Sequence, residues 1–443
     1  MLKRFISKFF GEFGSSEEYS KYLRASIIFA FLIGIYWTLR PLKDSIFIQF
    51  VDVHMIPFAK TFSLIFMGTG VLIYNFILKK CVDKSKIFRG ILSFYTVVIA
   101  VLAVVTYIFN DTHSQILAYA VGYFSYFFIE SFGSFCIAFF WNIMTDICEG
   151  HSAKIGFHLI YFFGQIGGAI IPFFVPRITT MLKCETNTLT FVTVEGLIIF
   201  TIYRVNAFYA KTPSYLVRPV NKENISQKKP SFKLKDAFKL IFSNKYISSL
   251  FFYELIMSAV IVVIDFNFKI LAAKNFSGPQ LTQFLGTMGA TTNLTAGILL
   301  LGISSKIQKY LGLTASVVMT PMLVTLAFAA CVFIPSLSLY ILFGLVVVAK
   351  SSNYAFRGAF KQAYIPTSEN VHFTLQATND IFTSRSSKEL GSITNMLSAV
   401  VSYSKYLAIS AAIYLPLCAV WIGSTIFVGR RAEKAIKNKE TII

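Results

Sequence analysis

Residues 36–50 read YWTLRPLKDSIFIQF, an apolar run broken by Arg40, Lys43 and Asp44. Each of those charges costs about 2.5–3.5 kcal/mol at a bilayer centre on insertion scales. A membrane helix that keeps all three must set them against water, against one another or against a ligand. Arg40 and Lys43 stand three residues apart on one helical face, where both are available to a single anion. The alternative is a helix end, with the charges snorkelling to the interface and Arg40 pairing locally with Asp44.

The rest of the chain makes the membrane reading general. Of its 443 residues, 55% are hydrophobic and 14% charged, with mean hydropathy +0.65, against about 25% charged in a soluble domain. Apolar blocks of the length that crosses about 30 Å of hydrocarbon recur from Ala25 to Val428. They predict an all-α polytopic membrane protein of about twelve helices, near 25–49, 58–78, 87–109, 116–146, 153–175, 188–208, 247–270, 281–303, 312–334, 337–361, 388–404 and 406–428.

The net charge of +20 is not spread evenly. KKCVDKSKIFR (79–89), the stretch 211–245, SSKIQKY (304–310) and the tail from GRRAEKAIKNK are basic, whereas VDVHMIP, NDTHSQ and IPSLS hold almost no Lys or Arg. The positive-inside rule then predicts a multi-pass protein of the cytoplasmic membrane with both termini and the long central loop in the cytoplasm. Location in alternate loops also argues against nucleic acid as the partner. The expected organisation is a cytoplasmic amphipathic N-terminus (1–24), a six-helix half (25–210), a basic linker (211–246), a second six-helix half (247–428) and a basic tail (429–443). The N-terminal residues are too broken by charge for a signal-peptide core. Two halves joined by a basic linker is the plan of major-facilitator-type transporters, whose substrate site lies near the midplane.

Charges inside the predicted spans follow that plan. The first helix carries Arg40, Lys43 and Asp44, the fourth Glu130, the seventh Glu254, Asp265 and Lys269, and the tenth Lys350, Asn353, Arg357 and Lys361. Every third helix is marked, with Glu195 in the sixth standing outside the pattern, and an anionic substrate is implied. Glu130 lies deep in SYFFIESFGSFCIAFF, where a short carboxylate cannot snorkel far. Asp265 and Lys269 stand in the acid-before-base order of a helical ion pair, so a structural pair rivals a binding role there. Lys361 suits positive-inside topology alone. Gly164 and Gly168 form a G-x-x-x-G pair that reads as close helix packing.

No enzyme pattern appears: there is no H-E-x-x-H, no G-x-S-x-G and no P-loop. The cysteines are scattered without metal spacing, and no cofactor is expected.

At these positions the sequence resembles the ATP/ADP translocase, or nucleotide transporter, family of obligate intracellular bacteria, plastids and microsporidia. LRPLKDSIF (39–47) and IPFAK (56–60) are similar to the family's first-helix Leu-Arg-x-Leu-Lys-Asp and its downstream Pro-Phe-Ala-Lys. ESFGSFCIAFFWNIMTD (130–146) resembles the fourth-helix pattern Glu-Leu-Trp-Gly-Ser leading to Phe-Trp-x-x-Ala-Asn. DFNFK (265–269) stands where the family has Glu-Val-Thr-Trp-Lys, and AYIP (363–366) with the run from ND to SSKELGS (379–392) echoes Ala-Tyr-Ile-Pro and Asp…Arg…Lys-Ser-Gly. The resemblance implies a major-facilitator-like fold that carries nucleotides, with Lys43, Glu130, Asp265 and Lys388 at the family's functional charges. It departs in the tenth helix: in FRGAFKQAYIP (356–366), Arg357 takes an aspartate's place and Lys361 a glutamate's.

The candidate substrate contacts are therefore Arg40, Lys43, Glu130, Asn142, Asp265, Lys269, Asn353, Arg357, Arg385 and Lys388. Cations among them would neutralise phosphates, and Tyr36, Trp37, Phe47, Trp141 or Phe268 could stack on the base. The expected function is ATP/ADP exchange by a monomeric carrier, by alternating access. Proton-coupled nucleotide import, with Glu130 or Asp265 titrating, remains open beside it. So do carriage of another phosphorylated anion and, from a different class, a membrane scaffold or receptor.

Overall fold

A computed structural model of the chain describes residues 6, 12–80, 83–110, 114–148, 150–217, 241–334, 338–367, 384–438 and 440–442. Most of the predicted linker (211–246), parts of the N-terminal segment and the ND pair at 379–380 lie outside the described residues. Among those described, all regular structure is helical, and nine helices are long and apolar enough to cross a bilayer. Two compact units divide the chain: Met1–Ile225 with Ala273–Leu294, and Ser226–Ala272 with Thr295–Ile443.

In the first unit, α1 (Ser16–Phe50) is the central element, packed by α4 (Gln115–Ile147), α5 (Gly150–Met181) and α6 (Thr188–Lys211). The helix starts nine residues before the predicted span because Ser15 caps it: its Oγ accepts from the Glu18 N–H at 3.1 Å. Glu17 and Glu18 then sit in the first turn, where the helix dipole favours acid.

Lipid tails are as apolar as leucine, so helix association in a membrane rests on close van der Waals contact more than on the hydrophobic effect. Small residues supply it here. A Cβ on Gly167 would stand 2.0 Å from the Ala30 carbonyl oxygen, and one on Gly34 would stand 2.3 Å from Ile171 Cδ1. Gly164 and Gly168 do line the α1–α5 contact, but the position that forbids a side chain is Gly167, which backs directly onto main chain. Outward faces are apolar as well. On α3 (Lys84–Ile108), Leu92, Tyr95, Ile99 and Leu102 are buried while Phe94, Val97, Val101, Val104 and Ile108 are exposed. A helix apolar on both sides belongs in lipid.

The first unit also holds α2 (Ile56–Lys80) and most of α8 (Gly278–Ile298). Asn293 Nδ2 on α8 donates to the Gly168 carbonyl at 3.0 Å, and Thr180 of α5 donates to Gln283.

The second unit comprises most of α7 (Lys245–Asn275) together with α9 (Ser305–Phe333), α10 (Leu339–Gln362), α11 (Ser384–Met396) and α12 (Tyr403–Asn438), with α9 packed on both α10 and α12. The basic stretch 304–310, expected to be a loop, is helical apart from its first residue's π turn. Lys, Gln and Tyr do not break a helix, and the interruption comes only at Gly312, whose φ of +83° suits glycine. A buried polar chain orients α7: Asn267 Nδ2 donates to Tyr406 Oη (3.3 Å), whose hydroxyl donates to Asn395 Oδ1 (2.7 Å), and Asn395 Nδ2 reaches the Val262 carbonyl (3.4 Å). With Asn267 turned toward α11 and α12, Asp265 and Lys269 are directed to another side of α7.

Candidate functional site

Two charge clusters emerge, one in each unit. In the first, Lys43 is buried on α1 and its ammonium lies 2.5 Å from Glu130 Oε2, 3.7 Å from Asp44 Oδ1 and 4.2 Å from the centre of the Tyr126 ring. Tyr126 precedes Glu130 by one helical turn, so α4 presents a ring and a carboxylate to the same cation. The Glu130 side chain keeps 30% exposure while Lys43 has 6%; the carboxylate is the accessible member of the pair.

Directly after Glu130, α4 widens into a π turn over Gly133–Ile137, a distortion that recurs at functional sites. Gly133 is there because a Cβ would stand 2.3 Å from Tyr36 Cε2. Tyr36 and Trp37 in turn flank Arg40, whose guanidinium carbon lies 5.8 Å and 5.1 Å from the two ring centres. Arg40 thus carries an aromatic pair beside it, one turn from Lys43.

The second cluster spans α7 and α10. Asp265 takes Lys269 at 3.1 Å on one oxygen and Lys350 on the other, and the three side chains are 12–14% exposed. Toward the start of α7, Glu254 pairs with Arg357 of α10 at 3.3 Å. The half-buried Asn353 lies between Lys350 and Arg357 along α10.

The expected residues therefore divide. Lys43 and Glu130 come together, as do Asp265 and Lys269, and Arg357 sits on the same helix pair as the latter. Asn142 does not join Glu130. It accepts from Lys84 Nζ at 3.0 Å, beside the Lys84–Asp146 ion pair that ties the start of α3 to the end of α4. Lys388 is exposed on α11, and the Arg385 side chain lies outside the described residues. Trp141 stacks on Tyr161 at 4.6 Å and meets Phe29 edge-on; Phe268 is fully buried. Both rings belong to packing.

Residues 112–431, most of the chain, match the family model described as TLC ATP/ADP transporter. The chain belongs to the TLC ATP/ADP transporter family. It is a nucleotide transporter, and its work is translocation rather than catalysis. Among the relatives of this TLC transporter is ADP,ATP carrier protein 4 of Rickettsia conorii, 22% identical with 95% of this chain and 93% of the relative covered. Solved structures give the fold. A bacterial homologue of the iron transporter ferroportin in the inward-facing state aligns with TM-score 0.64 at 10% identity, covering 94% of this chain and 100% of that one. A point mutant of the peptide transporter POT aligns with TM-score 0.59 at 12% identity, covering 91% of this chain and 95% of that one. The TLC transporter has the major-facilitator-like fold.

The site residues read from sequence left out Tyr126, Glu254 and Lys350. Glu254 and Lys350 carried a signal, being charges in apolar spans on helices already marked. Tyr126 carried only its position one turn before Glu130, one ring among 47 Phe and 22 Tyr side chains.

Proposed function

We propose that this transporter exchanges ATP for ADP by alternating access, with Lys43 in the first unit and Lys269, Lys350 and Arg357 in the second receiving the phosphates. The observation that carries the proposal is the pairing itself. Each of these cations sits in an apolar span and is held by a carboxylate, so each site is already built for an anion, and a phosphate accepts stronger charge-assisted bonds from them than a neutral acceptor would. Carboxylates keep the lysines charged and aimed until substrate arrives. Arg40, flanked by Tyr36 and Trp37, supplies a further cation beside rings on which a base could stack. Asp265 and Glu130 orient the lysines in this scheme. Asn353, Arg385 and Lys388 stand as further contacts, and Asn142 as one only if substrate reaches the Lys84 end of α4.

One observation favours a second reading. Glu130 is the accessible member of its pair, which suits a carboxylate that takes up a proton and releases Lys43, so proton-coupled import is the rival. We further propose twelve crossings in two six-helix halves, a monomer, and both termini on the cytoplasmic side of the cytoplasmic membrane, on the strength of the basic loops.

Uptake of radiolabelled ATP into proteoliposomes, with and without internal ADP and an uncoupler, tests both. Stimulation by internal ADP with no uncoupler effect is the expected result. Uptake abolished by the uncoupler would replace exchange with proton-driven import, and competition by sugar phosphates but not by nucleotides would replace the substrate.

A further inference from the structure

The α7–α10 face carries more cations than acids. Lys350, Asn353, Arg357 and Lys361 recur every three or four residues along α10 and share one side, while α7 brings Asp265 and Glu254 together with a further cation, Lys269. The two ion pairs on this face differ in access. Around Asp265 all three side chains are nearly closed. In the outer pair, Glu254 is 3% exposed and Arg357 39%.

That asymmetry has a chemical meaning. A carboxylate as dry as Glu254 needs its counter-charge, whereas an anion arriving through water meets Arg357 first. The scaffold around the pair is fixed: Tyr253, next to Glu254, stacks face to face on Phe360, one turn beyond Arg357, at 4.0 Å and 12°. The backbone on both sides is held while the guanidinium end stays reachable. Guanidinium presents a planar fork of donors that matches phosphate as well as carboxylate.

We propose that Arg357 reads the charge of the substrate's phosphate chain, with Glu254 its counter-ion in the unloaded carrier, so that a terminal phosphate competes with Glu254 for the same donors. The proposal rests on the nucleotide reading above and deepens it. Lys350 lies two turns away, about 10 Å along the helix axis, with the Asn353 amide between them. A monophosphate engages one end of this ladder, and a triphosphate engages both. Discrimination among AMP, ADP and ATP then depends on Arg357, and Glu254 sets how strongly a phosphate must compete.

The test is inhibition of radiolabelled ATP uptake in proteoliposomes by unlabelled AMP, ADP and ATP, for the wild type, Arg357→Gln, Glu254→Gln and the double variant. Arg357→Gln should raise the ATP concentration for half-inhibition about tenfold and change that for AMP less than threefold; Glu254→Gln should lower it for ATP several-fold. The double variant covers the case in which Arg357→Gln strands Glu254 and fails to fold. Removing both charges removes any need for a strut, so a structural pair predicts wild-type ranking in the double variant, and the proposal predicts a lost preference for ATP. Equal shifts for all three nucleotides, or wild-type ranking in the double variant, overturns the role of Arg357 and leaves nucleotide transport standing. A wild type that neither takes up nor binds any of the three overturns the nucleotide reading and this assignment with it.

Discussion

The charge clusters of the two units are assembled in opposite senses. Around Lys43, two carboxylates, Glu130 and Asp44, serve one lysine under a tyrosine ring; around Asp265, two lysines serve one carboxylate. With ordinary ionisation the three groups around Lys43 sum to one negative charge, which Arg40 one turn away offsets, and the three around Asp265 sum to one positive charge. Both solve the same problem, since an isolated ion in a lipid-embedded helix is costly. The two clusters thus differ in how their cations are held: Lys43 sits between two acids with Arg40 one turn away, whereas Lys269 and Lys350 share one acid.

The largest effect should come from Lys43→Ala. Removing the shared cation takes from Glu130 and Asp44 the ammonium that both approach, and breaking a buried pair in this way typically costs about 3–5 kcal/mol. ATP uptake should fall at least 100-fold and the thermal midpoint of the purified protein should drop. Adding Glu130→Gln should recover much of the stability and none of the transport. Recovery of transport in the double variant would reduce the first cluster to a structural strut.

Asp265→Asn should act less strongly. It leaves Lys269 and Lys350 in repulsion, but the isosteric amide keeps an acceptor oxygen for one of them, so the loss should stay below the about 3–5 kcal/mol of a fully broken buried pair. Uptake should fall about tenfold, with apparent affinity for ATP changed more than the maximal rate. Pairing the change with Lys350→Met should restore the thermal midpoint. If Asp265→Asn proves more damaging than Lys43→Ala, the ranking of the two clusters is reversed.

Which charges lie inside the spans was readable from the apolar runs: Lys43, Glu130, Asp265 and Arg357 stand out on hydropathy alone. Which residues meet was not. Along one helix the sequence offers only neighbours three or four apart, such as Asp265 with Lys269. The contacts that define the clusters join residues 87 and 85 apart, Lys43 to Glu130 and Lys350 to Asp265, and helical periodicity carries no information about which helices approach. The spans were legible for the same reason the charges were, because lipid demands long apolar blocks. Their ends were less so: the Ser15 cap extends α1 past its apolar stretch, and basic residues at 304–310 signal topology without breaking a helix. The G-x-x-x-G pattern found the α1–α5 contact, yet the decisive Gly167 lies between its two glycines rather than at either, since only three-dimensional register shows which one faces the Ala30 carbonyl.

Asn142→Ala tests the edge of the first cluster and should have the smallest effect. Asn142 lies twelve residues beyond Glu130 on α4, about 18 Å along the axis and past the π turn. Its amide oxygen accepts one bond from Lys84, which keeps Asp146 when that bond is lost. One hydrogen bond at a part-exposed site contributes about 0.5–1.5 kcal/mol, so the thermal midpoint should fall slightly and ATP uptake should change less than threefold. Asp146→Asn should do more than Asn142→Ala at the same place, because it takes away the charge that holds Lys84. An uptake loss for Asn142→Ala with an unchanged midpoint would be a binding defect without a stability defect. That result would extend the substrate path along α4 to the Lys84 end, and Lys84 would join Arg40 and Lys43 among the first unit's substrate cations.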